Sequence, residues 1–196
     1  MDLFEYQGKE LFAAAGIPVL PSRLARSPEA AERAAAELGL PVAVKAQVLS
    51  GGRGKAGGVR VVRRREEVAP AAAEILGLTI NGKPVQALLV EQGVRVASEL
   101  YAAITLDRAA RRPLLMLSTA GGMDIEQAAR EAPERLLRTH VHPLSGLDAV
   151  QLDRLGAFCA VSDDGLERQA IDVLQRMWRL YRERDATLVE VNPLAV

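Results

Sequence analysis

Apolar positions recur along this chain with two distinct periods. Leu3, Phe4, Leu11 and Phe12 share one side of a helix that Gly16 ends, with Pro18 just beyond. Ser27-Pro28 reads as an N-cap followed by proline at the first helical position, and the alanine-rich stretch after it runs to Gly39. The period then shortens. Pro41-Val42-Ala43-Val44-Lys45-Ala46-Gln47-Val48-Leu49 is β-branched and compact, which predicts a buried strand. Val59-Arg60-Val61-Val62 predicts a returning strand, so residues 50–58 become the glycine-rich tip of a hairpin. A helix is predicted over 66–76, stopped by Gly77, and Asn81-Gly82 marks a turn. Strands follow over 85–91 and 99–106, the latter pairing with 114–117 across a polar turn at 107–113. Helices are expected near 124–130 and over 148–160 and 166–183, the last with a 3.6-period stripe of Ile171, Leu174, Met177, Trp178 and Tyr181. A final strand over 187–191 runs into Asn192-Pro193. Helices and strands do not alternate strictly, which disfavours a doubly wound parallel sheet and predicts an α+β fold.

Composition narrows the function classes. The chain has 196 residues, 49% apolar and 26% charged, which suits one large domain or two small ones sharing a core. Twenty-five Lys and Arg balance twenty-five Asp and Glu, so the basic excess that drives backbone binding of nucleic acid is missing. No apolar run approaches the roughly 20 residues that span a bilayer, and Asp2 and Glu5 stand where a signal peptide carries basic residues. The single cysteine, Cys159, excludes an internal disulfide and fits a reducing, cytoplasmic setting. With two histidines and one cysteine, a closed structural zinc site would need an unusual ligand set. A magnesium site of carboxylate, Asn oxygen, water and phosphate stays open. The apolar ending through Val196 reads as part of a sheet, so a C-terminus truncated within a longer chain is expected.

The loudest local signal is Gly51-Gly52-Arg53-Gly54-Lys55-Ala56-Gly57-Gly58-Val59. Glycines let backbone N–H groups approach a phosphate, and Arg53 and Lys55 add positive charge. A Walker A loop fails, because position 49 is Leu and position 56 is Ala. Gly52, Gly54 and Gly57 satisfy G-x-G-x-x-G, but a β-like segment follows where a Rossmann site needs a helix. The kinase pattern also fails, since Val42-Ala43-Val44-Lys45 precedes the loop and no H-R-D or D-F-G occurs. A flexible hairpin lid over phosphates survives these tests, for five glycines in the eight positions 51–58 exceed what a turn requires. Lys45 interrupts an apolar strand, where a lysine is rare without a partner. At an effective dielectric near 20, its charge about 4 Å from a phosphate oxygen contributes roughly 4 kcal/mol before desolvation.

Other polar positions are weaker signals. Glu190 and Asn192 lie two apart on a strand and face one side, as paired oxygen ligands for magnesium or as a solvated strand end. His140-Val141-His142 lacks an acid or cysteine at ligand spacing and reads as a solvated loop. Cys159 and Trp178 read as core, and Arg63-Arg64-Arg65 before Glu66-Glu67 as a solvated helix start.

Phe4-Glu5-Tyr6-Gln7-Gly8-Lys9-Glu10-Leu11, Val44-Lys45-Ala46-Gln47-Val48, Gly51 through Gly58, Leu106-Asp107-Arg108, Gly121-Gly122-Met123-Asp124-Ile125-Glu126 and Val189-Glu190-Val191-Asn192-Pro193-Leu194 form a set. Together, over essentially the whole chain, they resemble the ATP-grasp domain of succinyl-CoA synthetase β subunits. The resemblance implies two α+β subdomains holding Mg-ATP or Mg-ADP in the cleft between them. It implies a lid-bearing subdomain at about 21–98 and a second one from 1–20 and 99–196. By matching position, Lys45 contacts the phosphates and Gly52, Arg53 and Gly54 form the lid. Glu91 and Val94 lie near the base, Glu99 near the ribose, and Asn192 binds Mg2+. Glu190 is the catalytic candidate, approaching a phosphohistidine carried by a separate α subunit. The activity implied is that of an ADP-forming acid–thiol ligase of the tricarboxylic acid cycle. The second magnesium ligand, an Asp, and the CoA-ligase domain would lie beyond Val196, leaving the isolated chain inactive as a ligase. The family pattern S-x-E-G-G is met by Ser118-Thr119-Ala120-Gly121-Gly122, which keeps a malate–CoA or other acyl-CoA ligase, or a non-catalytic nucleotide-binding module, as alternatives. Leu20 stands where GTP-preferring members carry a hydrogen-bonding side chain, favouring adenine.

Overall fold

The computed structural model describes residues 2–119, 121, 125–159 and 164–195. The Ala120 departure and the Gly122-Met123-Asp124 stretch therefore lie outside the described residues. The chain divides into two compact units, Met1–Ala14 with Pro18–Arg95, and Ala15–Ile17 with Val96–Val196. All pairing among the described strands is antiparallel.

In the first unit, α1 (Glu5–Ala14), β1 (Ser22–Ala25), α2 (Pro28–Leu38), β2 (Val42–Ala46), β3 (Val59–Val62), α3 (Val68–Leu76), the short β4–β5 pair (Thr79–Ile80 and Lys83–Pro84) and β6 (Leu88–Gln92) follow one another. The larger sheet has the order β1-β6-β2-β3. Ser27 caps α2 as expected, its Oγ accepting from Ala30 N at 3.2 Å. The buried positions of α2 (Ala31, Ala34, Ala35, Leu38) and of α3 (Val68, Ala71, Ala72, Ile75) both follow i, i+3, i+4, i+7, so each helix turns one narrow stripe inward. These stripes cover Val42, Val44, Ala46, Val62, Leu88 and Val90 of the sheet. Each fully buried Val, Leu or Ile side chain there contributes about 1.5–3 kcal/mol.

The second unit holds β7 (Glu99–Asp107), β8 (Arg112–Ser118), α4 (Ile125–Glu131), β9 (Leu136–His140), α5 (Ala149–Cys159), α6 (Asp164–Glu183) and β10 (Leu188–Ala195). Its sheet has the order β10-β7-β8-β9. The α6 stripe buries Leu174, Met177, Trp178 and Tyr181, with the Trp178 and Tyr181 rings stacked at 5.8 Å.

The structure departs from the sequence expectations at several points. Residues 1–14 group with 18–95 rather than with the C-terminal half, because Tyr6 N donates to Gln47 Oε1 and side chains of α1 pair with β2 and β6. The strand expected over 41–49 keeps its ladder only across Val42–Ala46. Residues 85–87 make single bonds, such as Gln47 N to Ala87 O, and join no ladder before Leu88. His140 closes strand β9 and Val141 is buried, so that segment is not a solvated loop. The last strand runs on past Asn192-Pro193 to Ala195.

Candidate functional site

Side chains on a strand alternate between faces, so a strand that buries Val42, Val44 and Ala46 against α2 and α3 must turn Ala43 and Lys45 to the other side. On β6 the same rule puts Leu88 and Val90 in the core and Glu91 opposite Ala43 on the Lys45 face. The first turns of α1 bring Glu5 and Lys9 to that face. Lys45 Nζ lies 2.6 Å from Glu91 Oε1 and 3.2 Å from Glu5 Oε1. Glu5 Oε2 lies 2.5 Å from Arg53 Nη1, which also donates to the Ala46 carbonyl at 3.1 Å. Lys9 pairs with the second oxygen of Glu91. Among the described residues, three cations thus pair with two carboxylates, a formal surplus of one positive charge within this group. Burial pulls the Lys45 ammonium down, but the Glu5 and Glu91 charges outweigh it and hold its pKa above the ordinary lysine value. Burial pushes Glu5 up, and Lys45 and Arg53 outweigh that to hold it below the ordinary glutamate value. Both groups are charged at neutral pH.

The glycine loop closes at its neck. Ala46 N donates to Gly58 O and Gly58 N to Arg53 O, at 2.7 and 2.8 Å. A Cβ at Gly58 would come within 2.8 Å of Ile80 Cδ1 and 3.1 Å of the Arg53 carbonyl, so any side chain there displaces its neighbours. Gly52 and Gly57 have φ of 76° and 74°, the left-handed region that favours glycine. Gly51 and Gly54 answer to neither reason, for open space surrounds them and their φ is ordinary. Local structure does not explain these two. Asn81 Nδ2 donates to Ser50 Oγ at 2.6 Å, and Lys83 donates to the Leu49 carbonyl, so the β4–β5 turn anchors the loop's base. Val94, three residues beyond Glu91, is 47% exposed.

The other candidates belong to the second unit. Glu99 opens β7 opposite Ala195, and Gly121 N donates to its carbonyl at 3.0 Å. Glu190 stands opposite Ala103, and the β10–β7 register shifts between Val191 and Leu194, where Asn192 lies. Glu190 is exposed at its rim, yet the protein packed around its carboxyl raises its pKa, with a hydrogen bond to Asn192 pulling the other way. No three His, Cys, Asp or Glu side chains converge among the described residues. The available donors are hard oxygens, a carboxylate and an amide two residues apart on one strand, which suits a cation that keeps water and phosphate in its shell. A hydrogen bond through the amide nitrogen is compatible with the amide oxygen serving such a cation.

His140 takes no part in either group. Its Nε2 lies 2.9 Å from Asp107 Oδ2, and Asp107 Oδ1 accepts from Ala109 N and Ala110 N, so this exposed pair fastens the β7–β8 turn. Sequence reasoning missed Glu5 and Lys9. Their i, i+4 spacing on α1 is that of an ordinary surface helix pair, and only the fold turns both onto the sheet.

The sequence profile of the ATP-grasp domain matches residues 2–196. The chain belongs to the ATP-grasp family. Within it, the chain is 46% identical over all 196 residues to the ADP-forming succinate–CoA ligase subunit β of Rubrobacter xylanophilus, covering 51% of that protein. It is 45% identical, with the same coverage, to the subunit of that name from Natronomonas pharaonis. The ATP-grasp chain thus spans about half the length of these curated relatives. Among solved structures it resembles the acetyl-coenzyme A synthetase 1 of Ca. Korarchaeum cryptofilum, solved with coenzyme A and Ca-AMPCP, at TM-score 0.80 and 23% identity, covering 99% of this chain and 86% of that one. Another structure of that synthetase, at TM-score 0.72 and 24% identity, contains a phosphorylated phosphohistidine segment and covers 98% of this chain and 85% of that one. At these identities the likeness establishes the fold.

Proposed function

We propose that this ATP-grasp chain is the nucleotide-binding portion of an ADP-forming succinate–CoA ligase β subunit. It binds Mg-ATP or Mg-ADP and exchanges phosphate with a histidine on a partner α subunit during acyl-CoA formation. The observation that carries this reading is Lys45 and Arg53 converging on one carboxylate beside a glycine loop, in a chain 46% identical to such a subunit.

In this reading Lys45 and Arg53 meet the phosphate oxygens, and the backbone of Gly52 and Gly54 closes over them. Glu91 and Val94 lie near the base, and Glu99 near the ribose. Asn192 holds Mg2+, which neutralises phosphate charge when bound. In transfer, the bond from the γ-phosphorus to the β-phosphate oxygen breaks as a bond to the partner's imidazole nitrogen forms. The Glu190 carboxylate offsets the positive charge growing on that ring.

The apolar Leu20 favours adenine, since it cannot hydrogen-bond a guanine edge. The cytoplasmic setting and the place in the tricarboxylic acid cycle follow from the likeness to the ADP-forming succinate–CoA ligase subunits. Ala120, which replaces a family carboxylate, favours a malate–CoA or other acyl-CoA ligase as the second reading. Phosphate transfer from γ-labelled ATP to a supplied α subunit tests the assignment. Label on the α-subunit histidine is expected, and its absence under conditions where the nucleotide binds would overturn the transfer role.

A further inference from the structure

We propose that Glu5 is a positioning residue for the phosphate-binding cations, its carboxylate holding Lys45 and Arg53 together beside the glycine loop. This rests on the nucleotide reading above and adds a residue to it. Glu5 divides its two oxygens, Oε1 going to Lys45 Nζ at 3.2 Å and Oε2 to Arg53 Nη1 at 2.5 Å. Two like charges that share one anion would repel each other if that anion were neutral.

The two cations depend on Glu5 unequally. Lys45 sits on a ladder-paired strand and keeps Glu91 at 2.6 Å, so it is fixed independently. Arg53 sits on the glycine loop, and its other bond is to the Ala46 carbonyl at 3.1 Å. Glu5 is therefore chiefly the anchor of Arg53.

Glu5 is itself held. The neighbouring Tyr6 N donates to Gln47 Oε1 at 3.1 Å, and the buried Gln47 donates through Nε2 to the Lys45 and Ala46 carbonyls. The same side chain thus ties the first turn of α1 to the strand that carries Lys45. Phe4 N donates to Gln7 Oε1 at 3.0 Å, closing that turn.

The arrangement leaves room for an anion. Lys9, Lys45 and Arg53 exceed Glu5 and Glu91 by one charge. Among the described residues Arg53 bonds Glu5 and Ala46 through Nη1, while a guanidinium carries five N–H donors in a planar fork. Its other edge can meet a phosphate while Glu5 still grips it, the arrangement by which a carboxylate orients a phosphate-binding cation.

Calorimetric titration of Mg-ADP into the full-length protein tests this, with Glu5→Gln, Arg53→Gln, the double variant and Glu5→Asp compared at matched melting temperature. Glu5→Gln should weaken ADP about tenfold. The double variant should bind no worse than Arg53→Gln alone, because both changes remove one coupled interaction. Glu5→Asp should recover part of the loss, and adenosine affinity should not change in any variant. A merely structural role for Glu5 would lower adenosine affinity as well and would multiply with the Arg53 change. Glu5→Gln within twofold of the unsubstituted protein, tighter binding, or multiplying losses would overturn the proposal. Failure of the unsubstituted protein to bind Mg-ADP would instead overturn the nucleotide reading, and this inference with it.

Discussion

Lys45 and Glu91 stand diagonally across the β2–β6 pair, two residues out of register, with 2.6 Å between Nζ and Oε1. An ammonium and a carboxylate on one sheet face, the carboxylate buried, make this ion pair part of the fold as well as of the site. Replacing Glu91 by Gln would leave both Lys45 and Lys9 without their shared anion. Removing one partner of a fully buried pair costs about 3–5 kcal/mol, and the partial exposure of Lys45 reduces that to about 2–3 kcal/mol. Urea denaturation of Glu91→Gln should show this loss.

The glycines of the loop separate into two kinds. Gly58→Ala pushes a methyl against Ile80 and the Arg53 carbonyl, and should cost about 1–3 kcal/mol of stability. Gly54→Ala meets open space and should leave the melting temperature within about a degree, well inside the 4–8 °C that 1 kcal/mol moves a small domain. It should nevertheless weaken Mg-ADP. Thermal melts beside titrations distinguish the two.

Opposite pKa shifts give opposite pH signatures. Glu5 is held below its ordinary value, so its contribution is complete above about pH 4.3 and is lost as pH falls through its folded pKa. Glu190 is held above its ordinary value, so the folded state favours its protonated form and carries a penalty once pH rises through that pKa. Glu190→Gln should therefore raise the melting temperature at pH 7, and the gain should vanish below about pH 4. Melts of Glu190→Gln and Glu5→Gln from pH 3 to 8 check both signs.

At the start of α2, Ser27→Ala removes the acceptor for Ala30 N and should cost about 1 kcal/mol, with nucleotide binding unchanged. A denaturant midpoint shift without a change in ADP affinity is the expected result.

Much of the fold was legible because its signals are local. Ser27-Pro28, Gly39 and Gly77 bound helices as expected, and the β2–β3 hairpin follows from a β-branched run, a glycine tip and a second run. Ser22–Ala25 carries no alternation, and its strand exists only because Leu88–Gln92 offers an edge to pair with. Leu136–His140 was obscured in the same way, its strand defined by pairing with β8. Lys45 was conspicuous in the sequence as a charge inside an apolar strand. Glu5 and Lys9 were not, since a helix of ordinary surface pattern says nothing of the sheet beneath it.

The account turns on Lys45 as a phosphate contact, and a calorimetric titration of Mg-ADP into the full-length protein and its Lys45→Ala variant tests it most directly. A loss of one to three decades in affinity, on the order of 1.4–4 kcal/mol, is predicted, with ADP preferred over GDP. Unchanged affinity in a variant that remains folded would contradict it.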